Sequence, residues 1–73
     1  MPIDPLAIAQ SHVQEGREVV ARQRQIVAQR KKLGMDTRDA EGVLRDFERT
    51  LATFEEDLQA IRAGQLLRVR SDA

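Results

Sequence analysis

Cysteine, tryptophan and tyrosine are absent from the 73 residues of this chain, and Phe47 and Phe54 are its only aromatic side chains. Without cysteine there is no disulfide framework, no thiolate nucleophile and no sulfur-ligated metal, a composition that fits the cytoplasm. Both prolines fall within the first five residues, so nothing after Pro5 interrupts a helix by removing a backbone donor. No apolar run approaches the ~18 residues of a membrane span. Ile3 to Ala9 is too short and too interrupted for the core of a secretory signal, so neither a leader nor an anchor is expected. Net charge is zero, which removes any bulk attraction to nucleic acid or to an anionic surface.

What the chain does have is helical periodicity. Ala40, Leu44, Phe47, Leu51, Phe54, Leu58 and Ile61 follow one another at alternating steps of four and three, the spacing of a coiled-coil seam. Upstream, Leu6, Val13, Val20 and Val27 recur every seven residues, each with an immediate neighbour on the same side: Pro5, His12, Val19 and Ile26. Ala9, Gly16, Gln23 and Arg30 lie between these pairs, and the resulting stripe is broader than one partner helix can cover.

Boundary signals divide the two patterns. Asp4 is placed to accept hydrogen bonds from the first free helical N–H groups, Pro5 suits the first helical position, and Ile3 is placed to staple onto Ile8. Arg30, Lys31 and Lys32 suit the negative end of the helix dipole, and Gly34 accepts the left-handed conformation of a helix cap. Asp36 is the expected second N-cap, with Met35 stapling onto Ala40. The expected organisation is one domain: helix 1 at about 4–33, a hinge at 34–36, helix 2 at about 37–63 with Gly64 as its cap, and a tail over 64–73. So short a hinge forces the helices antiparallel. Residues whose numbers sum to about 70 then face each other, setting Gln23 against Phe47, Val19 against Leu51 and Gly16 against Phe54.

Charge is segregated between the two helices. Residues 15–33 carry six bases against two acids, and residues 36–58 carry eight acids against three bases. A basic helix folded back on an acidic one reinforces antiparallel pairing, although an exposed ion pair typically contributes only ~0–1 kcal/mol. Arg17, Arg24 and Lys31 line one flank of helix 1 at sevenfold spacing, the one feature that would suit RNA or DNA. Interleaved aromatics are missing and eight acids lie nearby, which speaks against that use.

Chemical sites are sparse. His12 and Glu15 are three apart on one helix, the reverse order of the Glu-x-x-His element of di-metal bundles, and helix 2 offers no inward glutamates to join them. A partly buried His12 would instead make a bundle loosen near pH 6. Gln23 and Arg30 interrupt the apolar stripe, Gln23 as a polar layer residue that fixes register, Arg30 as a long side chain reaching towards Asp39 or Glu41. The serines and threonines have no general base in a concave setting, so catalytic, cofactor and metal sites are all expected to be absent.

His12-Val13-Gln14-Glu15-Gly16, the block from Arg22 to Val27, Gly34-Met35-Asp36-Thr37, Ala40-Glu41 and Phe47-Glu48-Arg49-Thr50-Leu51 together resemble small bacterial helical-hairpin proteins with no assigned function. The resemblance runs from His12 to Leu58 and implies a helical hairpin in a bacterial cytoplasm; it carries no mechanism.

The expectation is therefore an all-α, coiled-coil-like antiparallel hairpin that dimerises into a four-helix bundle. A chain this short is marginal with only one seam. Its expected role is a non-enzymatic protein–protein interaction module, a small adaptor or regulator. The expected partner is a second copy or another protein, without cofactor or membrane. Val13, Val19, Val20, Ile26, Val27, Leu44, Phe47, Leu51, Phe54, Leu58 and Ile61 form its apolar faces. The alternative is an RNA- or DNA-binding four-helix-bundle dimer using Arg17, Arg24 and Lys31.

Overall fold

A computed structural model describes residues 4–71, with side chains described over residues 4–64; the expected staple from Ile3 lies outside the described residues. Two helices, α1 (Pro5–Lys32) and α2 (Arg38–Ser71), pack against each other as an antiparallel hairpin, and no strand occurs among the described residues.

Helix α1 starts where the chemistry of its cap dictates. The Asp4 side chain accepts from the Leu6 N–H at 3.0 Å while its carbonyl takes the first helical bond from Ile8, and Pro5 fills the position where a missing N–H is harmless. At the other end the Met35 N–H reaches the Arg30 carbonyl at 2.9 Å and the Gly34 N–H reaches Lys31 at 3.0 Å. This pair of reversed bonds is a Schellman motif, and Gly34 holds it at φ +72°, a conformation that a Cβ would strain. Gly34 is thus the residue on which the reversal of the chain turns.

The second cap is shared by two residues instead of resting on Asp36 alone. Asp36 accepts from the Arg38 N–H at 3.0 Å, but the Thr37 carbonyl receives the first helical bond, from Glu41. The Thr37 hydroxyl also donates to Glu41 Oε1 at 3.2 Å. Met35, the expected staple onto Ala40, is 54% exposed at the tip of the hairpin.

Helix α2 does not stop at Gly64 but continues to Ser71. Glycine tolerates a left-handed cap without requiring one; its penalty inside a helix is ~1 kcal/mol, and the following residues, rich in Leu, Gln and Arg, favour propagation. The expected tail over 64–73 is therefore helical as far as Ser71, and Asp72 and Ala73 lie outside the described residues.

With heptad letters a–g, the seam takes Leu6, Val13, Val20 and Val27 at a and Ala9, Gly16, Gln23 and Arg30 at d of α1. Helix α2 contributes Leu44, Leu51 and Leu58 at a and Ala40, Phe47, Phe54 and Ile61 at d. Among residues 4–64, Ala9, Val13, Val20, Val27, Ala40 and Leu58 are buried, and none of these described side chains has less than 2% of its surface accessible. Apart from Leu58, the leucine, phenylalanine and isoleucine side chains of the seam sit only half-inside because a two-helix seam has no third wall.

Candidate interaction faces

The two flanks of the seam differ in chemistry, and sevenfold spacing decides which is which. In an antiparallel pair the e positions of one helix meet the e positions of the other, and the g positions meet g. The e row of α1 is Gln10, Arg17, Arg24 and Lys31, and that of α2 is Glu41, Glu48, Glu55 and Arg62. Arg17 lies 3.9 Å from Glu55, Arg24 3.5 Å from Glu48 and Lys31 3.1 Å from Glu41. These pairs are exposed and add little to stability; their value lies in fixing direction and register. The Lys31 ammonium, followed by the Thr37 hydroxyl, holds the Glu41 carboxyl below its ordinary range. At the tip the Arg38 guanidinium does the same for Asp36, 3.0 Å away, helped by the Arg38 backbone N–H.

The g rows carry Pro5, His12, Val19, Ile26 and Leu33 on α1 and Val43, Thr50 and Asp57 on α2. Summed to 69, they bring His12 towards Asp57, Val19 towards Thr50 and Ile26 towards Val43. Near the open end, where α1 begins, Ile8, His12, Phe54 and Ile61 border a groove of about 290 Å³ that also reaches Asp57. Among the residues with described side chains, the exposed large hydrophobic ones are Ile8 (45%) and Val43 (42%) on this side and Leu33 (68%) and Met35 (54%) at the tip. One flank is closed by charge; the other is an apolar strip with an open groove.

The residues expected to form apolar faces separate into two groups. Val13, Val20, Val27 and Leu58 are buried between α1 and α2, so the hairpin itself uses them. Leu44 and Leu51 are half-buried at the edge next to the charged flank, and Val19, Ile26, Phe47, Phe54 and Ile61 are half-buried on the apolar flank. Val43 and Ile8 join that flank without having been expected there, although Val43 next to Leu44 repeats the adjacent-pair pattern of α1. Glu41, Glu48 and Glu55 also carried a readable signal, the same seven-residue step as Arg17, Arg24 and Lys31.

The polar residues of the stripe behave differently from one another. The Gln23 side-chain amide donates to the Ala40 carbonyl at 2.9 Å, a bond between the helices that joins residues seventeen apart in sequence. This suits a register-fixing layer. Arg30 does not take the expected role at Glu41, because Lys31 at the neighbouring e position reaches it first. Gly16 meets the expected bulky neighbour: a Cβ there would lie 3.1 Å from Leu51 Cδ1 and 3.6 Å from Phe54 Cδ2. His12 is exposed, its ring centroid 5.1 Å from that of Phe54. Ser11 donates to Glu15 at 3.5 Å, and among the described residues no three His, Cys, Asp or Glu side chains converge as metal ligands would. No helix among the described residues is long and apolar enough to cross a membrane.

No family model, curated protein or solved structure matches the chain.

Proposed function

We propose that the hairpin is a non-enzymatic protein–protein interaction module that self-associates through its apolar flank, two copies completing a four-helix bundle. The observation that carries this reading is surface. The chain exposes 6074 Å², whereas a compact monomer of its 8.3 kDa mass exposes about 4,600 Å². The excess is about 1,500 Å² per chain, so two copies covering it would bury about 3,000 Å², within the range of obligate homodimers. The shape agrees: extents of 60 × 23 × 14 Å describe a plate two helices wide and one helix thick. Such a plate has one ionic edge that needs no cover and one apolar side that does.

Arg17, Arg24 and Lys31 are turned on the chain's own glutamates, which favours a protein partner over nucleic acid as the use of this fold. The apolar flank suits a small adaptor or regulator, and the resemblance drawn from the sequence adds only a bacterial cytoplasm to the proposal. Light scattering on a size-exclusion column tests self-association directly. The expected mass is twice the 8.3 kDa of one chain, falling to one chain for Val43→Lys with helical content retained. A wild-type chain that unfolds cooperatively and stays monomeric at several hundred micromolar would refute the reading.

A further inference from the structure

The outer rows of the apolar flank carry charge, and their sign is not the same on the two helices. On α1 the g and c positions include His12, Glu15, Arg22 and Gln29; on α2 they include Asp39, Asp46 and Asp57 with no base among them. Two hairpins stacked on this flank about a two-fold axis have two ways to lie. With the tips at opposite ends, α2 lies along the partner's α2, and two rows that each carry three acids and no base run side by side. With the tips at the same end, each α1 lies along the partner's α2 in the register the hairpin already uses. Arg22 then meets Asp46, Gln29 meets Asp39, His12 meets Asp57, and Ile26 packs on Val43. Like charges across an interface select against an arrangement more strongly than matched rim charges favour one.

We infer, on the basis of the self-association proposed above, that the partner on the apolar flank is a second copy of this chain lying with its tip at the same end, α1 against α2. Two further features agree. The e flank, already neutralised by Arg17–Glu55, Arg24–Glu48 and Lys31–Glu41, stays at the outer edge of both copies. Val19 meets Thr50 and Ile26 meets Val43, so no carboxylate is trapped against a valine or isoleucine. In the opposite-ended arrangement, centred on Val19 and Thr50, Asp57 would lie on Val43.

The native chain has no cysteine, so a single Lys32→Cys variant accepts one nitroxide label per copy at an exposed site near the tip. Pulsed dipolar spectroscopy is expected to give a separation under about 30 Å, against more than about 40 Å for opposite ends, the length of α1 at 1.5 Å per residue. A long separation in a dimer would overturn the orientation and leave self-association standing, while a monomer would overturn both. Asp46→Lys supplies the second arm: it is expected to weaken the dimer about fivefold per lost pair, with recovery on adding Arg22→Glu. Tightening by Asp46→Lys alone, the result of relieving an acid row facing itself, would also overturn the proposal.

Discussion

Replacing Gly16 with alanine sets two effects of similar size against each other, and the structure decides the sign. Alanine inside a helix is favoured over glycine by ~1 kcal/mol, and burying one more methyl adds up to ~0.8 kcal/mol. Against this stands the 3.1 Å approach of the new Cβ to Leu51 Cδ1, a few tenths of an ångström tighter than comfortable contact; the contacts to Phe54 Cδ2 and Leu51 Cβ, at 3.6 and 3.7 Å, are ordinary. The crowded atom is the end of a flexible side chain on a half-buried residue at the edge next to the charged flank. Leu51 therefore has room to yield towards solvent. The expected net result is a gain of ~1 kcal/mol, which for a chain of this size raises the melting temperature by about 4–8 °C. Gly16→Val adds bulk in the direction of both Leu51 and Phe54 and is expected to lose about 1–3 kcal/mol. Thermal unfolding by circular dichroism at fixed chain concentration measures both. Loss of stability in Gly16→Ala would show that Leu51 is held rigidly and that glycine is required for close approach of the helices.

Gln23→Leu removes the bond to the Ala40 carbonyl and adds apolar volume to the seam; it is expected to keep or raise the melting temperature while broadening amide NMR spectra through loss of a unique register. Sharp, singly populated spectra for that variant would remove the register role. Gly34→Ala places a Cβ at φ +72° and is expected to cost about 1 kcal/mol without changing helical content at low temperature, as read by urea unfolding. Acid should loosen the tip first: the Asp36 and Glu41 carboxyls are held below their ordinary range when folded, so their contribution is complete above the unfolded values near pH 4 and vanishes as pH falls through the folded ones. Amide protection at residues 33–41, taken against the intrinsic exchange rate at each pH, is expected to fall below about pH 4 before that in the middle of either helix, and uniform loss along the chain would contradict this.

The readable part of this fold was its periodicity and its hinge. The seam of α2 shows directly in the residue spacing because from Ala40 to Ile61 its a and d positions are all occupied by apolar side chains. Helix α1 is harder, since each valine or isoleucine has an apolar neighbour one residue away. Spacing alone does not say that Val13, Val20 and Val27 turn inwards while His12, Val19 and Ile26 stay on the flank. That choice depends on the twist with which α1 lies on α2. Gly34 was legible because it follows Arg30, Lys31 and Lys32, which suit a helix carboxyl end, and precedes Asp36, which suits the start of the next helix. Gly64 misled because its conformational freedom permits a helix end and equally permits its continuation. The apolar flank was legible only as excess width; assigning it to one side required seeing that Glu41, Glu48 and Glu55 occupy the other.

The reversal at Gly34 gives the hairpin a direction of assembly. Lys31 and Glu41 are separated by ten positions along the chain, whereas Arg17 and Glu55 are separated by thirty-eight, and closing the longer span costs about 1 kcal/mol more in chain entropy. Pairing therefore starts beside the turn and runs like a zip towards the open end, where Ala9, Val13 and Leu58, with Leu6, Phe54 and Ile61 packed on them, close last. A second copy seated in the proposed way would add its cover to the stretch of seam that forms last.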